Sequence, residues 1–207
     1  APTIPNLILR EIVVALVLIA VIMVISVLFN ASLGAKANPG LSPNPTKAPW
    51  YFAGIQELLL HFHPLFALFI IPILMMMALL SIPYFNYKAN TTGVWFASLK
   101  GRRMAVAAAL VAIILTPIGI IADEFIIDFT AWLPNIPGEI SNGLIPFALM
   151  LTLTIIFYKV MKKKFSSNNN EALQSVFVLL LIAFIILTIT GIWFRGKGMA
   201  LMWPWGV

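Results

Sequence analysis

The chain has 207 residues, of which 61% are hydrophobic and 10% charged, and its 13 Lys and Arg against 7 Asp and Glu give a net charge of +6. An ordinary soluble domain is about half apolar and about a quarter charged, and a globule of this size has too little interior to hide the excess. That balance excludes a soluble enzyme, a disordered chain and a nucleic-acid binder, and it makes membrane topology the first explanation of the positive charge. Cys is absent, which excludes disulfides, thiolate-bound zinc, iron–sulfur ligation and covalent haem attachment.

Five stretches lack Asp, Glu, Lys and Arg: 12–35, 58–87, 104–122, 140–158 and 172–194. A hydrocarbon layer of about 30 Å takes about 20 residues of helix, and lipid forces the backbone to bond within the segment. The reading is therefore an all-α fold, a polytopic transmembrane bundle with span cores at 12–29, 64–84, 104–122, 142–160 and 173–194. A single membrane domain, 1–207, is expected. The first apolar run is expected to be a span, being too long for a signal peptide and lacking a small-residue cleavage site.

After the first span comes a loop, 30–60, stiffened by Pro39, Pro43, Pro45 and Pro49. Pro49 is well placed to open a short interfacial helix. On that helix Trp50, Gly54, Glu57 and His61 share one face by 3.6-residue periodicity, so an indole, a carboxyl and an imidazole can line one groove at membrane depth. Glu57 is the only acid between Glu11 and Asp123. Burial would raise its pKa and suit it to carry protons; equally, it can face interfacial water or pair with Lys47 or another chain. His61 and His63 are the only imidazoles. They are candidates for a proton relay or simply polar residues at a helix start.

Pro72, Pro83, Pro117 and Pro146 fall in or beside the middle spans and predict kinks. Met75, Met76 and Met77 read as flexible core filling, because consecutive residues face different ways and cannot share a metal. With the N-terminus inside, nine basic residues lie in the inner loops and four in the outer ones, which favours N-terminus in and C-terminus out. Lys100–Arg103 and Lys162–Lys164 are then inner-face anchors near anionic lipid. The segment Ser166–Asn170 is a polar turn. The tail, 191–205, lies outside and carries Trp193, Trp203 and Trp205, as lipid anchors or as a docking surface for an outer-face partner.

The order of a span, a Pro-rich outer loop, Asn44-Pro45, Pro49-Trp50-Tyr51-Phe52, a short helix and a second span resembles the C-terminal part of cytochrome b, which is a separate chain, subunit IV, in chloroplast-type complexes. The resemblance covers about 5–160; the fifth span and tail, about 161–207, fall outside it. It implies a subunit of a quinol:cytochrome c oxidoreductase. The family's Pro-Glu-Trp-Tyr loop borders the quinol-oxidising site on the positive side of an energy-converting membrane, here a bacterial inner membrane. By that resemblance Pro49, Trp50, Tyr51, Phe52 and Glu57 border a shared quinone site. Pro49 stands where the family has its proton-accepting Glu, and Glu57 is the candidate substitute, with His61 and His63 to relay the proton. The implied partners are a haem-bearing cytochrome b N-terminal subunit, a Rieske iron–sulfur protein and a c-type cytochrome. The b haems and the cluster are expected on those chains, and a dimeric complex is the family's expectation. His61 and His63 point to different sides of a helix and cannot hold two stacked haems, so no metal is assigned to this chain. Two other readings stay open: a quinone-binding anchor of another respiratory complex, and a transporter, which the uncharged span interiors disfavour.

Overall fold

The computed structural model describes residues 5–29, 36, 38, 40, 44–81, 96 and 98–205. The chain divides into two compact units, Ala1–Ser42 and Pro43–Val207. The first holds helix α1, Asn6–Leu28, which buries none of its residues. Its mean hydropathy of 3.1 is spread around the whole circumference, so it has the character of a span rather than of an amphipathic surface helix.

The second unit begins with α2, Ala53–His61. A π-helical turn, Phe66–Ile70, runs into α3, Ile71–Ser81. Then follow α4, Leu99–Phe125, and a single turn, α5, Phe129–Trp132. A second π-helical turn, Ile140–Leu144, leads into α6, Ile145–Phe165, and α7 spans Asn169–Trp193. Among the described residues, four helices are long and apolar enough to cross a membrane, and the apolar helix at Phe66–Ser81 is shorter. The fold is an all-α membrane bundle and the chain an integral membrane protein. Residues 82–84 of the second expected span, with Pro83, lie outside the described residues, as do Pro39 and Pro43 of the loop.

The prolines act one turn upstream. Pro72 and Pro146 have no N–H to give the carbonyls of Leu68 and Asn142, and each ring crowds the preceding turn. Both of those residues lie in the π-helical turns, which widen the coil at those places. The Asn142 carbonyl accepts the His63 N–H at 2.8 Å, so a backbone bond ties the α2–α3 junction to the start of α6. Pro117 sits within α4.

Small residues set the packing. On α4 the buried stripe is Gly101, Met104, Ala108 and Ala112, and α7 makes the most extensive contact with this helix. Ala172 and Ser175 are buried on α7. In lipid, helices associate through such close approach of backbones rather than through a hydrophobic driving force. Met104, Met161 and Ala172 meet at one end and join α4, α6 and α7. The helix ends there are capped locally. The Ser98 hydroxyl accepts from Gly101 N at 3.0 Å, and the Asn168 side chain accepts from Glu171 N at 2.8 Å. Ser166 closes α6 in the left-handed region, φ 46°. α7 resumes at Asn169, so the polar turn expected over Ser166–Asn170 narrows to 166–168. Met75, Met76 and Met77 are exposed and do not fill a core. No residue of α3 is buried, so its apolar surface is left for lipid or another chain.

Candidate functional site

Thr46 to Ala48 fold back on α2 through one side chain. The Gln56 amide oxygen accepts from Ala48 N and its amide nitrogen donates to the Thr46 carbonyl, both at 2.7 Å. The chain therefore enters α2 through turns rather than along the helix axis. Phe52 N donates to the Pro49 carbonyl at 2.8 Å and Ala53 N to the Trp50 carbonyl at 3.3 Å. This corrects the expectation that Pro49 opens the helix: α2 starts at Ala53. Trp50 consequently leaves the face it was expected to share with Glu57. Trp50, Tyr51 and Phe52 are 72%, 58% and 52% exposed. They form one outward strip, with ring centroids 5.7 Å apart for Trp50–Tyr51 and 5.1 Å for Tyr51–Phe52.

Gly54, Glu57 and His61 do share a face, and all three are buried. The face is closed rather than open as a groove. A Cβ at Gly54 would stand 2.6 Å from Thr188 Oγ1 and 2.9 Å from the Phe184 ring, so α7 lies directly against it. A Cβ at Gly191 would meet the Ala53 carbonyl oxygen at 2.9 Å.

Past the end of α7 the chain makes a tight hairpin. Met202 N donates to the Phe194 carbonyl at 2.8 Å and Gly196 N to the Ala200 carbonyl at 3.0 Å. Gly198 takes φ +67° at the bend, a region open to glycine, and its N–H donates to Asn44 Oδ1. Lys47 Nζ donates to the Ile192 carbonyl at 2.8 Å, at the negative end of α7.

The hairpin delivers Arg195, 2% exposed, to Glu57, 0% exposed. Arg195 Nη2 donates to Glu57 Oε1 at 2.6 Å and Nε to Glu57 Oε2 at 3.0 Å, a forked pairing. Nη1 donates to Glu124 Oε2 at 2.7 Å and to the Met199 carbonyl at 3.0 Å. His61 stands between two carboxylates. Its Nδ1 is 2.6 Å from Asp123 Oδ2 and its Nε2 is 3.2 Å from Glu57 Oε1. Asp123 and Glu124 occupy the last turn of α4, where the helix dipole is negative, so they need the two cations. Three carboxylates face two cations, and the partial exposure of Asp123 and Glu124 lets water share the excess charge.

This arrangement reverses the expectation for Glu57. Burial pushes its carboxyl up, but hydrogen bonds from His61 and Arg195, with their charges, outweigh burial and hold it below the ordinary carboxylate range. Its ionised form is favoured, opposite to the rise that burial alone would give. Burial alone would lower His61; the bonds to Asp123 and Glu57, with their charges, raise it to about 9. The imidazolium form of His61 is thus favoured, with Nδ1 toward Asp123 and Nε2 between Glu57 and Arg195, whose Nη2 lies 3.4 Å away. His63 lies half-buried at the α2–α3 junction, with Nδ1 accepting from Leu65 N at 3.4 Å. Among the described residues no group of three or more His, Asp or Glu could hold a metal ion.

Sequence reasoning missed Arg195, Asp123 and Glu124 as members of the site. The available signal was depth: Asp123 and Arg195 are the first charges beyond their spans and Glu124 follows Asp123 directly, where an ionisable side chain needs a partner. No protein-family model, curated protein or solved structure matches the chain.

Proposed function

We propose that this chain is the haem-free membrane subunit of a quinol:cytochrome c oxidoreductase of the Rieske/cytochrome b type, and that Trp50, Tyr51 and Phe52 form one wall of its quinol-oxidising pocket. The observation that carries this reading is an aromatic strip that is held yet exposed. Gln56 anchors the segment before it and the Glu57–Arg195 pair anchors the helix after it. The three rings nonetheless stay more than half exposed, as suits half a pocket completed by a neighbouring chain. Tyr51 supplies a hydroxyl that can donate to or accept from a quinol head group, and Trp50 and Phe52 supply flat apolar surface for its ring.

The charges fit this membrane setting. Lys100, Arg102, Arg103, Lys159 and Lys162–Lys164 gather at one end of the bundle, while Asp123, Glu124, Asp128 and Glu139 lie at the other with the aromatic strip. By the positive-inside rule the basic end faces the cytoplasm and the strip faces the positive side of a bacterial inner membrane. The b haems, the iron–sulfur cluster and a c-type cytochrome belong to partner chains, and the complex is a dimer. Glu57 is a structural anchor in this reading.

The test is steady-state quinol oxidation by the purified complex carrying Trp50→Ala or Tyr51→Phe. Loss of a ring or a hydrogen bond at the substrate is expected to lower kcat/KM about tenfold in each, with assembly intact because both side chains are exposed. Unchanged kcat/KM in both removes the strip from the pocket. A purified complex that turns over quinol without a Rieske cluster would assign the strip to a quinone anchor of another respiratory complex.

A further inference from the structure

The end of the bundle opposite Glu57 carries a cluster of basic side chains for which the described residues provide no ion pair. Two basic runs far apart in sequence arrive there together. Lys100, Arg102 and Arg103 open α4, while Lys159, Lys162, Lys163 and Lys164 close α6. The buried cluster of Met104, Met161 and Ala172 pins the two helix ends to each other and to the start of α7. All seven basic side chains are exposed, and among the described residues none of them makes an ion pair. Among the described residues an acid also lies there, Glu171, which accepts from the Ser98 hydroxyl rather than pairing with any of the seven. A Cβ at Gly101 would approach its carboxylate to 3.1 Å, so it is packed against the turn that opens α4.

Seven unpaired cations at the boundary of an apolar bundle call for anions at the same depth. The cations sit on the ends of membrane-spanning helices, so the anions they meet first are lipid phosphates. Arg presents a fork suited to phosphate oxygens and Lys a mobile point charge. Below both runs lies apolar helix surface, including exposed Val106 and Val160, against which acyl chains can lie while the headgroup meets the cations.

We propose that the joined α4–α6 end is a binding surface for anionic phospholipid, with the two basic runs acting as one site rather than as separate anchors. This inference does not depend on the quinol reading. A basic residue near a membrane surface contributes about a fivefold preference for anionic lipid. At one shared site, neutralising two or three of these residues is therefore expected to cost about 25-fold or about 100-fold.

The experiment uses the full chain in nanodiscs of phosphatidylcholine with phosphatidylglycerol. Spin-labelled versions of the two lipids report their relative association with the protein. Phosphatidylglycerol is expected to be preferred, less so in 1 M salt. Lys162→Gln/Lys163→Gln/Lys164→Gln and Arg102→Gln/Arg103→Gln should each abolish most of the preference. Lys197→Gln, at the other end of α7, should leave it intact. The substituted side chains are exposed, and helical content by circular dichroism checks that each variant folds. No preference in the native chain, or one that survives both neutralised runs, overturns the proposal and gives this face to an acidic protein segment instead.

Discussion

Geometry favours the protonated form of His61. Carboxylate oxygens lie 2.6 Å from Nδ1 and 3.2 Å from Nε2, so losing the Nδ1 hydrogen would set a ring lone pair against Asp123, while Nε2 also has Arg195 Nη2 at 3.4 Å. Its folded-state pKa, about 9, exceeds the ordinary 6.5, and this fixes the sign of the pH effect. The folded state binds the proton more tightly than the unfolded chain. The stabilisation is complete below pH 6.5, declines between 6.5 and 9, and is gone above 9. Its full size is on the order of 3 kcal/mol. Thermal unfolding of the detergent-solubilised chain should therefore show Tm falling across that interval. His61→Gln should start lower and flatten the slope. A native Tm that is level from pH 6.5 to 9 would mean that the imidazole is neutral in the folded protein. Glu57 works in the opposite direction. Its pKa is lowered, so its contribution is present above the ordinary carboxylate value and lost as the medium is acidified through the depressed one.

Among the elements, α2 is the shortest that matters to the site, and its packing rests on missing side chains. Ala53 and Gly54 let its first turn touch α7 at Thr188 and Gly191. Gly191→Ala puts a methyl carbon 2.9 Å from a backbone carbonyl, an obstacle no rotamer change removes, and it should cost about 1–3 kcal/mol. The associated loss is displacement of α2, read as increased protease access at Phe52–Ala53. A variant as stable and as protected as the native chain would show that the two helices do not touch there. Much of this level was legible in the sequence. Spans stand out because lipid forbids charge over about 20 residues, and the Gly54–Glu57–His61 face follows from 3.6-residue periodicity. What periodicity cannot carry is the entry into the helix. Trp50 was expected on the same face because Pro49 favours a helix start, but Gln56 folds the preceding chain back and starts α2 at Ala53. Nor could composition reveal that Met75–Met77 face outward, since a span apolar on all sides gives no sign of which face finds a neighbour.

At the scale of the second unit, the site is a closure of the chain on itself. Glu57 and Arg195 are 138 residues apart, and no local pattern pairs them; only the hairpin after α7 does so. The last long helix thereby gains a role: α7 lies along α4, and its hairpin fastens the helix that follows the aromatic strip. The pair is buried from water, so its members are interdependent. Arg195→Gln strands Glu57 and Glu124 together without their shared cation, and Glu57→Gln leaves Arg195 with only Glu124. Removing one partner of a buried pair costs about 3–5 kcal/mol, mostly through the charge left behind. The double variant Glu57→Gln/Arg195→Gln removes both charges, so it should be less destabilised than the sum of the singles by about 2 kcal/mol or more. Arg195→Lys tests the fork separately: it keeps the charge but cannot donate to Glu57 and Glu124 with the same geometry, and it should fall between native and Arg195→Gln. Denaturant midpoints of the four proteins give the coupling directly. Additive effects would mean that Glu57 is held by His61 alone and that the hairpin is a passive tail; in that case truncating 196–207 should leave the strip undisturbed.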